Sequence, residues 1–175
     1  MTLILIFRII MLSSFVISAL FLGDWKNRNK YYPTVLFIMI INITVSFLTY
    51  HHVLWSFNPD ALVKTYTTVE ILNSYIVLPC TTFVFLSKLP RNSGGQLSYI
   101  GLWILIYSTI EFIDKTIGGI SYQHGWSWQA SVMFDCAMFS ILRIHYLRPF
   151  AAWVMTFLLG FLLIIEFNFI SGQFK

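Results

Sequence analysis

The chain has 175 residues, 58% of them hydrophobic and 18% aromatic, with only 10% charged and a formal net charge of +4. A water-soluble domain carries about 25% charged residues, so this composition cannot cover a globule in water. Two cysteines and five prolines also exclude a disulfide scaffold, collagen and Pro-rich disorder, which leaves an integral membrane protein.

A spanning helix needs about 20 mostly apolar residues. Six stretches meet that length: Thr2–Leu22, Pro33–Trp55, Tyr66–Ser87, Leu97–Gly118, Trp128–Tyr146 and Phe150–Ile170. The expected fold is all-α, a single polytopic transmembrane helix bundle over residues 1–175 with six spans and short connections. The breaks carry the expected chemistry. Gly23 to Lys30 is polar and basic, Asn58-Pro59-Asp60 is a turn signal, Lys88 to Gly95 is a loop, and Gly118-Gly119 and Arg148-Pro149 mark the last two. Pro79 falls inside the third span, where a proline frees a carbonyl and bends the helix.

The first, third and fifth connections and their flanks carry Lys26, Arg28, Lys30, Lys88, Arg91, Arg143 and Arg148. The opposite side carries Lys64, Lys115 and Lys175. The positive-inside bias places the odd connections in the cytoplasm and both termini outside. The +4 charge is thus a topology signal and not a nucleic-acid patch. Trp25, Tyr31, Tyr32, Tyr146 and Trp153 mark the inner boundary, and Trp55, Tyr66, Tyr122, Trp126 and Trp128 the outer one. The first apolar stretch has its basic residues after it, which reads as an uncleaved span and not a signal peptide.

Ionisable side chains inside spans are costly and mark function by default. Here they are Arg8, His51, His52, Glu70, Glu111, Asp114, Lys115, Asp135 and Glu166. In the six-span reading all lie toward the outer leaflet. Polar stripes accompany them: Asn42, Ser46, Thr49 and His52 on span two; Glu70, Asn73, Ser74 and Thr81 on span three; Tyr107, Glu111, Asp114 and Lys115 on span four; Ser131 and Asp135 on span five. Such stripes face the bundle interior because lipid offers them no partner. The bland alternatives are interhelical hydrogen bonding and structural ion pairs such as Arg8 with a carboxylate. The functional alternative is an outward-open pocket of His52, Glu70, Glu111, Asp114 and Asp135, with Asn42, Asn73 and Tyr107 continuing the polar path inward. Five carboxylates face few cations, which leaves three outcomes: some are neutral acids, a bound cation balances them, or water reaches them from outside.

No H-E-x-x-H or Cys/His metal spacing, G-x-S-x-G, P-loop or dinucleotide glycine motif is present. A metal set of His52, Glu70, Glu111 and Asp135 therefore rests on residue type alone, and no cofactor is expected. Cys80 and Cys136 lie at different depths and read as packing residues. Arg143, His145 and Arg148 sit at the inner headgroup level, as an anchor or an anionic-lipid contact. Three function classes follow. The first is a small transporter-like or ligand/cation-binding protein. The second is a membrane-embedded enzyme acting on a lipid or isoprenoid. The third is a structural or accessory subunit of a membrane complex. The expected partners are the lipid bilayer and a small ligand, ion or lipid.

A string of local motifs runs through Tyr31-Tyr32-Pro33-Thr34, Leu54-Trp55-Ser56-Phe57-Asn58-Pro59-Asp60 and Leu78-Pro79-Cys80-Thr81. It continues through Tyr107-Ser108-Thr109-Ile110-Glu111, Gly125-Trp126, Phe134-Asp135 and Met138 to Tyr146, ending at Pro149. Together these motifs resemble an uncharacterised family of small multi-spanning membrane proteins of bacilli and clostridia. The resemblance covers roughly Trp25 to Trp153 and implies a bacterial cytoplasmic membrane, in a spore former; it implies no activity.

Overall fold

The computed structural model describes residues 2–167. Among the described residues are six helices: α1 (Thr2–Leu22), α2 (Tyr32–Leu48), α3 (Tyr66–Ser87), α4 (Ser93–Thr116), α5 (Trp128–Leu147) and α6 (Pro149–Glu166). Five of them are long and apolar enough to cross a membrane; α2, with 17 residues, is the shorter one. A 3-10 segment, Trp25–Lys30, joins α1 to α2. Two short strands, β1 (Trp55–Phe57) and β2 (Ile120–Tyr122), pair antiparallel, with Trp55 opposite Tyr122 and Phe57 opposite Ile120.

The bounds of α1 and α3 are those expected from the sequence. The helix α4 starts at Ser93, so Gly94 and Gly95 join its first turn. The expected end of the sixth span at Ile170, and Lys175, lie outside the described residues. The largest correction is to span two, which stops at Leu48 and does not reach Trp55. The Thr49 hydroxyl donates to Val45 O at 2.8 Å, and His52 N closes a turn onto Thr49 O at 2.9 Å. Such side-chain bonding to the preceding turn competes with helix continuation. Trp55 is then held in the strand pairing with β2. His51 and His52 consequently sit in the connection, not on the span.

The end of α4 shows how the sequence turns the chain toward β2. Gly118 takes φ +78°, a left-handed conformation that glycine adopts without Cβ strain. Gly118 N donates to Lys115 O at 3.1 Å and Gly119 N to Asp114 O at 2.7 Å, the two bonds of a Schellman stop. In α3 the consequence of Pro79 is a π turn and not a break. Residues Asn73–Val77 are wound one residue wider, and Leu78 N donates to Asn73 O. The wider turn accommodates the missing N–H and the ring of Pro79. Thr65 and Ser127 cap α3 and α5, accepting from Thr68 N at 3.3 Å and Ala130 N at 3.2 Å.

The second half of α3 is the centre of the bundle, with Thr81 through Leu86 all buried. Around it, Phe85 stacks on Tyr99 of α4 at 5.6 Å between centroids and meets Phe139 of α5 at 5.2 Å. Aromatic pairs of this kind add about 0.5–1.5 kcal/mol each beyond area burial, and these join three helices. At that end the 3-10 segment closes over the core. Asp24 N donates to Ser87 Oγ at 2.9 Å, and Trp25 meets Phe83 edge-on at 4.9 Å. The Asp24 carboxylate accepts from Asn27 and from the Tyr31 hydroxyl. The Asn27 bond leads in holding it below its ordinary pKa, while burial and Asp24 push Tyr31 up to about 12. In contrast, α6 buries only Ala152, and α1 and α6 present Ile9, Ile10, Phe21, Phe157 and Phe161 outward. A continuous apolar exterior of this kind is what lipid-facing helices carry.

Candidate functional site

A cavity of about 130 Å³ lies inside the end of the bundle that carries the β1–β2 ribbon. Five helices and both strands build its wall. Met11 and Phe15 come from α1, Asn42 from α2, Asn73 and Val77 from α3, and Tyr107, Glu111 and Asp114 from α4. Ser131, Phe134 and Asp135 come from α5, and the ribbon adds Trp55, Phe57 and Ile120, with Trp126 beside it. Of the expected site, Asn42, Asn73, Tyr107, Glu111, Asp114 and Asp135 are therefore brought together.

Each carboxylate is held differently. Glu111 Oε1 accepts from the Tyr122 hydroxyl at 2.5 Å. Burial first, and then this bond to Glu111, raises the Tyr122 phenol pKa and keeps it a donor. Asp114 is buried at the last turn of α4, against Gly119; a Cβ there would stand 2.0 Å from Asp114 Oδ1. Asp135 is 5% exposed, and its Oδ2 completes no hydrogen bond of good geometry, although the Ser108 hydroxyl of α4 lies beside the carboxylate. Leaving a buried polar oxygen unmatched is costly, so this atom stands out. Deeper in the bundle the polar path runs to Tyr107, whose hydroxyl lies 2.6 Å from Thr81 Oγ1. Asn42 Nδ2 donates to Ser74 Oγ at 2.7 Å, and Ser74 Oγ donates to Glu70 O at 2.8 Å.

Glu70 and His52 do not join this cavity. Glu70 lines a second one, of about 140 Å³ between α2, α3 and α6, and accepts from Ser46 Oγ at 3.3 Å. The π turn at Asn73–Val77 shifts the phase of the residues beyond it by about 100° relative to Glu70. The stripe expected from Glu70 to Thr81 is thereby split between two faces. His52 is buried in the connection and stacks on His124 at 3.7 Å. Trp55 and Phe134 border both cavities and form the partition between them, 5.7 Å apart. Among the described residues no three His, Cys, Asp or Glu side chains gather as a metal set. The group His52, Glu70, Glu111 and Asp135 is thus not assembled.

Other expectations are corrected. Glu166 and Lys115 are exposed, and the Lys115 ammonium sits 4.3 Å over the Tyr122 ring. Cys136 is exposed and not a packing residue. His145 is buried within the bundle and turned to protein partners: its Nδ1 lies 2.9 Å from Thr34 Oγ1 and Phe37 stacks on it at 4.1 Å. Arg143 Nε donates to Gln96 Oε1 at 2.5 Å, while Arg148 is exposed. Trp55 and Trp126, expected in an interfacial belt, are folded into the cavity wall.

The ion pair of Arg8 with a carboxylate, one of the structural alternatives, is formed, and its partner is one the sequence did not single out. Arg8 of α1 and Asp60 form a buried salt bridge, and Arg8 Nη2 also donates to Asn58 O at 2.9 Å. Asp60 had read only as part of a turn; a turn aspartate facing a lone intramembrane arginine was the available signal. No protein-family model, curated protein or solved structure matches the chain.

Proposed function

We propose that this chain is a six-span membrane protein that binds a small cationic ligand in the carboxylate-lined cavity, as a transporter or binding protein does. In this reading the odd connections are cytoplasmic and both termini lie outside, as the distribution of Lys and Arg supports. The site then belongs to the outer half of the membrane. The observation that carries the binding reading is the convergence of Glu111, Asp114 and Asp135 on one cavity that neither Arg8 nor Lys115 lines. Arg8 is engaged by Asp60 and lies near Asp114 across a small adjoining cavity, so Glu111 and Asp135 are the carboxylates without a cation beside them in the cavity wall.

The test is titration of the purified protein with sodium, potassium, ammonium and alkylammonium chlorides, followed by calorimetry. Glu111→Gln and Asp135→Asn should insert and purify as wild type and lose the response. No response to any of these cations in the wild type overturns the reading. A second reading, an enzyme acting on a lipid, is favoured by one feature: Glu70 sits in a mostly apolar cavity beside α6. Its general acid or base would be Glu70, and a changed species in the lipid extract of expressing cells would be its signature. An accessory subunit would be expected to have a solid, fully paired core, and two carboxylate-bordered cavities count against that.

A further inference from the structure

Building on the cation-binding reading, we propose that the cavity takes a protonated amine with a small hydrocarbon substituent, its N–H donated to Asp135. Three independent features of the wall point to this class. The first is Asp135 Oδ2, an acceptor buried in the cavity wall that completes no hydrogen bond of good geometry, with the Ser108 hydroxyl of α4 as a neighbouring but misaligned donor. A ligand that satisfies it must bring an N–H or O–H, and a cationic donor makes the stronger bond. The second is the ring cluster. Trp55 and Trp126 lie 4.8 Å apart and Phe134 lies 5.7 Å and 6.2 Å from them, all three lining the same cavity. Aromatic faces attract organic cations within about 6 Å, and Trp does so best. The third is size and polarity. An apolar cavity of about 150 Å³ takes up benzene, so about 130 Å³ suits a ligand of about five or six heavy atoms.

The same features disfavour a bare inorganic ion. Such an ion needs several oxygen or nitrogen ligands at close range, and no set of three is assembled among the described residues. Most of the wall is hydrocarbon, which matches an alkyl substituent and not a hydration shell. An amine places its charge at Asp135, with Glu111 and Asp114 completing the negative field and the rings covering its alkyl part.

The test is calorimetric titration of the full-length detergent-purified protein with four probes: n-butylammonium, tetramethylammonium, n-butanol and sodium. Saturable binding of n-butylammonium is expected, with n-butanol, which has the same chain without the charge, at least about tenfold weaker. Tetramethylammonium, which has no N–H, should be weaker than n-butylammonium by a similar factor. Asp135→Asn should cost about tenfold or more, and Trp126→Phe about threefold. Sodium binding without n-butylammonium binding overturns this inference and leaves the cation-pocket reading standing. No binding of n-butylammonium, tetramethylammonium or sodium, together with no response to potassium or ammonium, overturns both. Equal binding of n-butanol or tetramethylammonium overturns the inference through the wild-type protein alone, so the result does not hang on whether Asp135→Asn folds.

Discussion

Arg8 and Asp60, 52 positions apart, form a buried ion pair that ties the connection after β1 to the N-terminal half of α1. The carboxylate also accepts the backbone N–H of Leu62 at 2.7 Å and Val63 at 2.8 Å. One side chain thus organises its own turn and anchors it to a helix. Because β1 lies just before that turn, the pair sets where the ribbon rests on the cavity.

Removing one partner of such a pair leaves an uncompensated buried charge, a cost of about 3–5 kcal/mol. Arg8→Met should therefore lower the unfolding temperature in detergent markedly. The double variant Arg8→Met, Asp60→Asn should recover much of the loss, since Asn keeps an acceptor for Leu62 and Val63. A double variant as unstable as the single one would show that the pair is not what holds the turn.

The acid limit of that tether follows from the same contacts. Burial works to raise the Asp60 pKa, but the Val63 and Leu62 N–H groups and the Arg8 guanidinium outweigh it and leave it below its ordinary 3.8. A depressed carboxyl contributes stability that is full above its unfolded value and lost as pH falls through its folded value. The tether should hold from neutral pH down to about 4 and release below that. Limited proteolysis of the 58–63 connection across pH 3 to 7, with an acid-active protease, would show it, and Asp60→Asn should be flat.

Gly119→Ala should disturb Asp114 more than the helix that carries it. The new methyl would stand 2.0 Å from Asp114 Oδ1, and the φ of Gly119 is not in the left-handed region. The carboxylate must move out of its buried position while the stop at Gly118 stays intact. The expected outcome is weakened cation binding in calorimetry with a small change in unfolding temperature. Gly118→Ala should do the reverse, costing about 1 kcal/mol or more in stability because the left-handed turn needs glycine.

The Thr34–His145 contact predicts a structural and not a lipid role. Thr34→Val is nearly isosteric and removes the partner of the imidazole, at a cost of about 1–3 kcal/mol. Replacing both, as Thr34→Val with His145→Phe, should restore part of it. Affinity for anionic vesicles should be unchanged in both variants, measured by flotation. A loss of vesicle binding would return His145 to the headgroup.

Orientation is checked by cysteine labelling after Cys80→Ala and Cys136→Ser. Single cysteines at Leu62 and His124, both exposed, should react with an impermeant maleimide on intact cells, and one at Gly94 should not. Asp60 is unsuitable because it is wholly buried. Labelling at Gly94 alone would invert the topology and with it the outward-facing site.

Much of this protein was legible in its residues because the bilayer imposes a length on apolar runs and a price on charge. The extents of α1 and α3 follow from hydropathy, and the placing of Glu111, Asp114 and Asp135 inward follows from lipid having no partner for them. Long-range pairing was not legible. Periodicity could not show that Trp55–Phe57 leaves span two to pair with Ile120–Tyr122, because that choice depends on a partner strand far along the chain, with Trp55 opposite Tyr122. Nor could it show that Glu70 would border a cavity beside α2 and α6 while Asn73, three residues on, lines the other one. The tertiary structure decided which acids share a cavity, which rings line it and that Arg8 is taken by Asp60. Those outcomes depend on distances between segments that meet only once the bundle has closed.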